Sequence, residues 1–398
     1  MIRHLFTLIW NRKRSNFLLI TEIMLSFFVL FVVSSLLVYN LYNYRQPMGF
    51  RYDNVWEITL NPGTDTTALK QKVLMVMQQL KASKGVVGVT QTSSNTPFSF
   101  SNMNGTRQYN HKQTPVTEFY DADDELRHVL GLNVVEGRWF DRRDNAAART
   151  PAIINKAMQR AVFAEESPIG KIMTDEHNKE QWQIVGVVES YRSGSDFAAD
   201  EPAMFSRKEI TDPSSKMNGG YNVPVLLLRV QPGSGAVLEQ KLVKDLDRMT
   251  KGWSVTVDPL EKTRISKLKV VLTPLCVLGL VCLFLIVNVA LGLFGVLWYN
   301  INQRKAEIGL RRALGATSTG ISQQFLGEML VVTTLGVAVG VVVAAQFPLL
   351  GVFGVAATVY LQAMGVATVL IFSLTAICAF QPSRIAAGIQ PAVSLREE

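Results

Sequence analysis

Four stretches of this sequence are almost free of charge: Phe17–Tyr39, Val270–Trp298, Phe325–Leu350 and roughly Val355–Phe380. A helix rises about 1.5 Å per residue, so roughly 20 residues cross a hydrocarbon layer about 30 Å thick. Each stretch is long enough to do so. Buried helices of a soluble enzyme rarely come in four such lengths, and charged residues make up only 18% of the chain, low for a soluble protein of its size. The pattern specifies an α-helical membrane protein with four transmembrane helices.

Charge then sets the orientation. Arg3, Arg12, Lys13 and Arg14 precede the first run. A cleaved signal peptide shares that charge order, but its apolar core is normally about 7–15 residues and ends at a small-residue site. No such site follows this run, which reads as a retained anchor with Glu22 near its cytoplasmic end. Bases near span ends favour the cytoplasm. They also occur at Arg304, Lys305, Arg311 and Arg312, against Glu307, and at Arg384 and Arg396. The expected order is a basic cytoplasmic N-terminus (1–16), span one (17–39), a periplasmic domain (40–265), and a stalk end with span two (266–298). A cytoplasmic coupling segment (299–324), span three (325–350), a short periplasmic loop (351–354), span four (355–380) and a cytoplasmic C-terminus (381–398) complete it. The protein is therefore expected to be multi-pass in the inner membrane, with both termini cytoplasmic. The formal charge of +8 is a topology signal, and nucleic acid is not expected as a partner.

The exported stretch carries no cysteine, because Cys276, Cys282 and Cys378 all fall in expected spans. It has to fold without disulfides. His4, His111, His128 and His177 are too scattered for a metal site, and no nucleophile, base and orienting group can be assembled. In DADDE (Asp121–Glu125) acids suit a helix start before ELRHVL better than a calcium loop, which needs a sharp glycine turn.

The pattern strand–helix–strand occurs at both ends of the exported stretch. VWEITL, TALKQKVLMVMQQLKAS and VVGVTQT form the first unit; VPVLLLRV, AVLEQKLVKDLDRM and WSVTVDP form the second. Alternation and helical periodicity identify them. The expectation is a large extracytoplasmic α/β domain: a split ferredoxin-like β-α-β layer (about 50–95 and 221–259) whose halves pair, with an inserted lobe (about 96–220) containing WQIVGVVES. The segment Pro259–Tyr299, if helical throughout, is about 60 Å long, so its start would stand outside the membrane, with Pro274 as a possible bend. In span three GVAVG (Gly336–Gly340) permits close helix contact. No span carries a row of polar residues, and Asn288 is expected to bond between helices.

Between spans two and three lies RKAEIGLRRALGAT. On a helical wheel Ala306, Leu310, Ala313 and Leu314 share one arc, while Arg304, Lys305, Glu307, Arg311 and Arg312 share the other. Glu307 and Arg311 are spaced to pair, and Gly315 suits a helix end. Ile308 is the misfit among the charges. A membrane-surface helix accounts for the rest; docking into a cytoplasmic protein accounts for Ile308 as well.

This motif, followed by ISQQFLGEML, resembles the cytoplasmic connection in permease subunits of the MacB/FtsX-like family of ABC transporters. GLNVVEGRWF, SPIGKIM, WQIVGVVES and the terminal PSRIAAGIQPAVSLRE agree with it. The resemblance implies a four-span permease whose large domain is a porter-like split β-α-β layer with an inserted lobe, present as two identical or related copies, that works with a cytoplasmic ABC ATPase. Arg304, Lys305, Glu307, Ile308, Leu310, Arg311, Arg312 and Leu314 would be the ATPase-coupling residues. Such permeases transmit ATP-driven motion to the outer domain, and a periplasmic adaptor and outer-membrane channel are further candidate partners beside membrane lipids. No GxxxxGK[ST] phosphate loop occurs, so ATP is expected to be used by a separate subunit, with no cofactor bound here and no enzyme activity in this chain. Export of a drug, peptide or other amphiphile is the expected task. Lipoprotein release or control of a cell-wall enzyme fits the same architecture, and a non-transport sensor or scaffold is the alternative from another class.

Overall fold

The computed structural model describes the backbone except at residues 1–12, 64, 66, 165, 178, 209–215, 218–219, 222–224, 304–307, 309, 312 and 389–398. The chain divides into two compact units, residues 43–272 and the remainder, 1–42 with 273–398.

In chain order, helix α1 (Lys13–Tyr44) is followed by strand β1 (Val55–Asn61), α2 (Leu69–Ala82) and β2 (Val86–Thr92). Next come β3 (Thr117–Ala122), α3 (Leu126–Leu130), β4 (Val134–Gly137), β5 (Thr150–Asn155) and α4 (Lys156–Val162). Strands β6 (Ile172–Thr174), β7 (Gln181–Val188), β8 (Ala203–Arg207) and β9 (Val225–Val230) lead to α5 (Ala236–Thr250) and β10 (Ser254–Pro259). The long helix α6 (Leu260–Gln303), then α7 (Ser318–Ala344), α8 (Gln346–Leu350) and α9 (Ala357–Gly388), follow; two-residue strands and short 3-10 turns lie between these elements.

The two strand–helix–strand units interleave. Strand β1 pairs antiparallel with both β9 and β10, and β9 pairs antiparallel with β2, giving the order β10-β1-β9-β2. Period-2 alternation explains why this layer has two cores. Trp56, Ile58 and Leu60 of β1 and Leu226, Leu228 and Val230 of β9 face α2 and α5, where they meet Val73, Val76, Leu80, Leu242 and Leu246. Val55 and Leu227 point the other way, into a core with α3 residues Val129 and Leu130. Strand β9 is thus buried on both faces, which is why it reads as an unbroken apolar run.

The lobe is not a separate sheet. Strand β2 passes the order on to β3 through Thr92 and Ala122, and the path continues β3-β8-β5-β7-β6. The β3–β8 and β5–β7 pairs are parallel. One expectation changes here. Asp121 lies inside strand β3, which ends at Ala122, and helix α3 starts only at Leu126 with no acid in its first turn. Asp123 serves the start from outside, accepting from the Glu125 and Leu126 backbone N–H groups, each at 3.0 Å. It also accepts from the Gln91 N–H at 3.1 Å and from the Thr90 hydroxyl, tying α3 to β2. Burial pushes the Asp123 pKa up despite these donors.

In the other unit four described helices are long and apolar enough to cross a membrane. They outrun the expected spans because backbone hydrogen bonding continues into polar flanks: α1 extends to Tyr44, α7 starts at Ser318, and α9 reaches Gly388. Helix α6 runs from Leu260 to Gln303 through Pro274. Helices α1, α7 and α9 enclose Leu19, Ile23, Phe27, Phe31, Met329, Val332, Ala363 and Ala367. Close approach depends on two glycines. A Cβ on Gly336 would lie 2.7 Å from Ile23 Cγ2, and one on Gly340 would lie 2.5 Å from Phe27 Cδ1. Polar side chains at this depth are satisfied locally. Asn288 donates to Phe284 O in its own helix at 2.8 Å, instead of bonding between helices. A polar link between helices joins Thr333 to Thr375, 3.3 Å apart. Glu22 lies against Gly292, where an added Cβ would come 1.9 Å from its carboxylate oxygen.

Gly340→Leu should displace the Phe27 ring and cost about 1–3 kcal/mol. Thermal unfolding of the detergent-solubilised chain is expected to show a lowered Tm. Gly365→Leu is the control, since a Cβ there meets nothing within 4 Å.

Candidate coupling sites

Two places join elements that are distant in sequence, one in each unit. The first is the connection between α6 and α7. Arg304, Lys305, Glu307 and Arg312 of the expected coupling set, and with them the Glu307–Arg311 pair, lie outside the described residues. Ile308, Leu310, Arg311 and Leu314 are described. Ile308 is 3% exposed and packs with Ile301 of α6 and Ile321 of α7, with Ala316 against them. Its side chain packs inside the chain, joining the connection to both flanking helices. Leu310 and Leu314 are 53% and 81% exposed. A helical wheel separates two arcs without saying which one meets the protein, and here the apparent misfit is the buried one.

The ends of the connection are well defined. The Leu314 N–H bonds to Leu310 O at 3.0 Å and the Ala316 N–H to Arg311 O at 3.0 Å. Between them Gly315 has φ 94°, a left-handed value that stops a helix and that glycine adopts readily. Thr317 Oγ1 then accepts from the Gly320 N–H at 3.2 Å and caps α7. Arg311 donates to Gln324 Oε1 at 2.9 Å, and Gln324 donates to Glu328 Oε1 at 3.1 Å.

The second place is the root of the outer unit, where residues 43–50 and the first turns of α6 meet the loop after β7. Arg192 is 3% exposed, and its guanidinium is satisfied by main-chain carbonyls. Nη1 donates to Gln46 O at 2.6 Å, Nη2 to Asp196 O at 2.8 Å and Ala198 O at 2.7 Å, and Nε to Ala198 O at 2.9 Å. Its own N–H bonds to Met48 O at 3.0 Å. Asn43 Nδ2 donates to Phe197 O at 3.1 Å, while the Tyr44 and Phe197 rings stack 5.5 Å apart. Gly49, φ 83°, lets the chain pass so close that a Cβ would lie 2.1 Å from Ser190 O.

From the other side, Arg264 of α6 makes a two-pronged pair with Asp196, Nη2 to Oδ1 at 2.6 Å and Nε to Oδ2 at 3.1 Å. Asp196 is only 7% exposed. The hydrogen bond to Asp196 raises the Arg264 pKa further, and its guanidinium lies 4.8 Å from the Tyr52 ring centre. Lys267, one turn on, donates to Ser99 O at 2.9 Å. One loop therefore ties the chain leaving the first apolar helix to the helix that carries the second apolar run. None of this root was visible in the sequence.

Four helices of membrane-spanning length and a split β-α-β layer with an inserted lobe define a polytopic membrane-protein architecture with a large α/β domain. The MacB-like periplasmic core domain family matches residues 17–241, more than half of the chain, and the FtsX-like permease C-terminal family matches residues 279–391. The chain belongs to the MacB/FtsX-like family of ABC transporter permeases. It is 27% identical over 295 residues to the macrolide export ATP-binding/permease protein MacB of Hahella chejuensis, covering 69% of this chain and 42% of that one. Against MacB of Aggregatibacter actinomycetemcomitans it is 21% identical over 232 residues, covering 56% of this chain and 34% of that one. The chain thus spans under half the length of these relatives. It is also 25% identical over 263 residues to the uncharacterized ABC transporter permease YknZ of Bacillus subtilis, covering 66% of this chain and 63% of that one. The crystal structure of the periplasmic region of MacB from Actinobacillus actinomycetemcomitans aligns with 16% identity and a TM-score of 0.39, covering 54% of this chain and 92% of that one.

Asp196→Asn keeps the shape of the root but removes the charge that Arg264 binds. For a pair buried on one side only, the loss should be about 1–3 kcal/mol, between surface and fully buried cases. Amide exchange of the full-length chain is expected to accelerate in residues 190–200 and to stay unchanged in β1 and β9.

Proposed function

We propose that this chain is the permease of an ABC transporter in the inner membrane and relays motion from a cytoplasmic ATPase to its periplasmic domain. The bases flanking the spans support cytoplasmic termini and a periplasmic position for residues 40–265. The observation that carries the reading is the connection between α6 and α7. Ile308 fixes it to both helices, leaving Leu310 and Leu314 exposed as an apolar contact for the ATPase. The ATPase uses ATP; this chain supplies docking and the relay. The described span residues contribute to mechanical work more readily than to a solute path, because Asn288, Thr333 and Thr375 are hydrogen-bonded locally. Only 6% of the most apolar window of α6 is buried within the chain, which supports a second permease copy, identical or related, beside it.

The cargo we favour is an amphiphile, a drug or peptide among them, handled by the outer domain, with a periplasmic adaptor and an outer-membrane channel as further partners. One feature favours the lipoprotein-release variant of the same architecture. An apolar cavity of about 300 Å³ is lined by Phe31, Leu36, Tyr39, Leu278, Phe347 and Tyr360, and it has the chemistry for an acyl chain.

Copurification from native membranes in mild detergent tests the coupling. Wild-type chain should bring an ABC ATPase with it. Leu310→Glu with Leu314→Glu should reduce the recovered ATPase about tenfold or more, the effect of losing roughly 1.4 kcal/mol or more of binding. Full recovery with the double variant would reject these contacts, and the absence of any ATPase with wild type would favour a sensor or scaffold.

A further inference from the structure

The outer unit contains a cleft of about 710 Å³ beside Phe119 of β3, Trp182 of β7 and Arg207 of β8. Five cationic side chains line it, Arg107, Arg149, Lys179, Arg207 and Lys208, against the carboxylates of Asp121 and Glu180. Several of these charges are already engaged. Lys208 pairs with Asp121 at 2.9 Å, Arg207 pairs with Asp124 at 2.9 Å, and Arg149 Nε donates to Gln181 Oε1 at 2.8 Å.

Arg107 is different. Its guanidinium carbon lies 3.9 Å from the centre of the Phe119 ring and 4.1 Å from that of Trp182. Stacking covers both faces of the plane, so the edge alone remains for hydrogen bonds. Along that edge Nη1 donates to Thr106 O at 3.2 Å, while the buried Nε has no acceptor. Among the described residues no carboxylate forms an ion pair with it. Burial is the largest influence on its pKa and lowers it, opposed by the fields of Glu180 and Asp175.

A stacked cation could simply cement β3 to β7, but an apolar side chain would fill that space without the desolvation cost of a charge. A planar donor edge, held rigid by two rings and short of acceptors, matches the geometry of a carboxylate or phosphate. Lys179 and Arg149, both exposed, add positive potential at the rim.

We propose that this cleft binds a small oxyanion, the carboxylate or phosphate group of a ligand, on the Arg107 edge, with Arg149 and Lys179 drawing it in. The site stands independently of the coupling to an ATPase. Isothermal titration of the detergent-purified full-length chain, without any partner, tests it with inorganic phosphate, acetate and a short-chain phosphatidylglycerol as probes. At least one of the two free anions is expected to bind saturably, and which one binds assigns phosphate or carboxylate chemistry. Arg107→Gln should weaken that binding about tenfold or more, as expected for loss of a charged hydrogen-bond donor. Arg107→Lys should restore it only in part, because a point charge lacks the fork. Lys179→Gln with Arg149→Gln, exposed positions that do not test folding, should weaken binding about threefold through lost attraction. Binding of neither free anion would overturn the proposal, as would binding of the lipid alone. If Arg107→Gln folds, as judged by its thermal melt, unchanged affinity in it would overturn the proposal too. If it does not fold, unchanged affinity in the rim double variant is the overturning result.

Discussion

The outer unit is held at its root by a guanidinium with almost no contact with water. Arg192 can stay charged there because five main-chain carbonyls, those of Gln46, Pro47, Met48, Asp196 and Ala198, gather around its side chain and its own N–H. Removing such a charge from its acceptors, or the acceptors from the charge, would leave buried polar groups unmatched. The loop is therefore held in one shape, and that shape places Asp196 where Arg264 can grip it with two nitrogens. The chain after α1 and the start of α6 consequently share one anchor. On the proposed relay, a displacement of either helix end passes to the loop and, through β7, which feeds it, to the sheet.

The membrane unit shows the complementary economy. Its helices pack through shape, with Ile23 and Phe27 pressed against two glycines, and its polar side chains are spent on neighbouring carbonyls and hydroxyls. An apolar bundle of this kind transmits rigid-body shifts well, since close-packed side chains cannot be compressed. The connection between α6 and α7 continues that logic. Ile301, Ile308 and Ile321 form a small core of their own that joins the connection to both helices, and on the proposed relay a push on the exposed leucines reaches both at once.

Features written in local periodicity were legible in the sequence, and those written in distant pairings were not. The apolar runs and the two strand–helix–strand units follow from patterns spanning a few residues each, and pairing of the units follows from their matching order. Strand β3 and the acids after it were harder, because Asp123 works on β2 and α3 together and no local pattern announces that. Ile308 stood out as a misfit among charges, and its burial could not be read locally for a related reason: what covers it is Ile301 and Ile321. The root was hidden altogether. Asp196 and Arg264 are 68 residues apart, and Asn43 and Phe197 are 154 apart. A lone arginine in a serine-rich loop carries no sign that its partners are carbonyls. Arg107 was missed likewise, since its two covering rings come from separate strands.

A relay running from a cytoplasmic contact to the root of the outer unit is tested most directly by amide exchange on the intact permease. The measurement uses the chain reconstituted in lipid nanodiscs with its ATPase, with and without ATP. Nucleotide is expected to alter exchange in residues 190–200 and in the first turns of α6, around Arg264 and Lys267, while β1 and β9 hold their protection. Identical exchange at the root in both states, with the ATPase bound and hydrolysing, would contradict the relay.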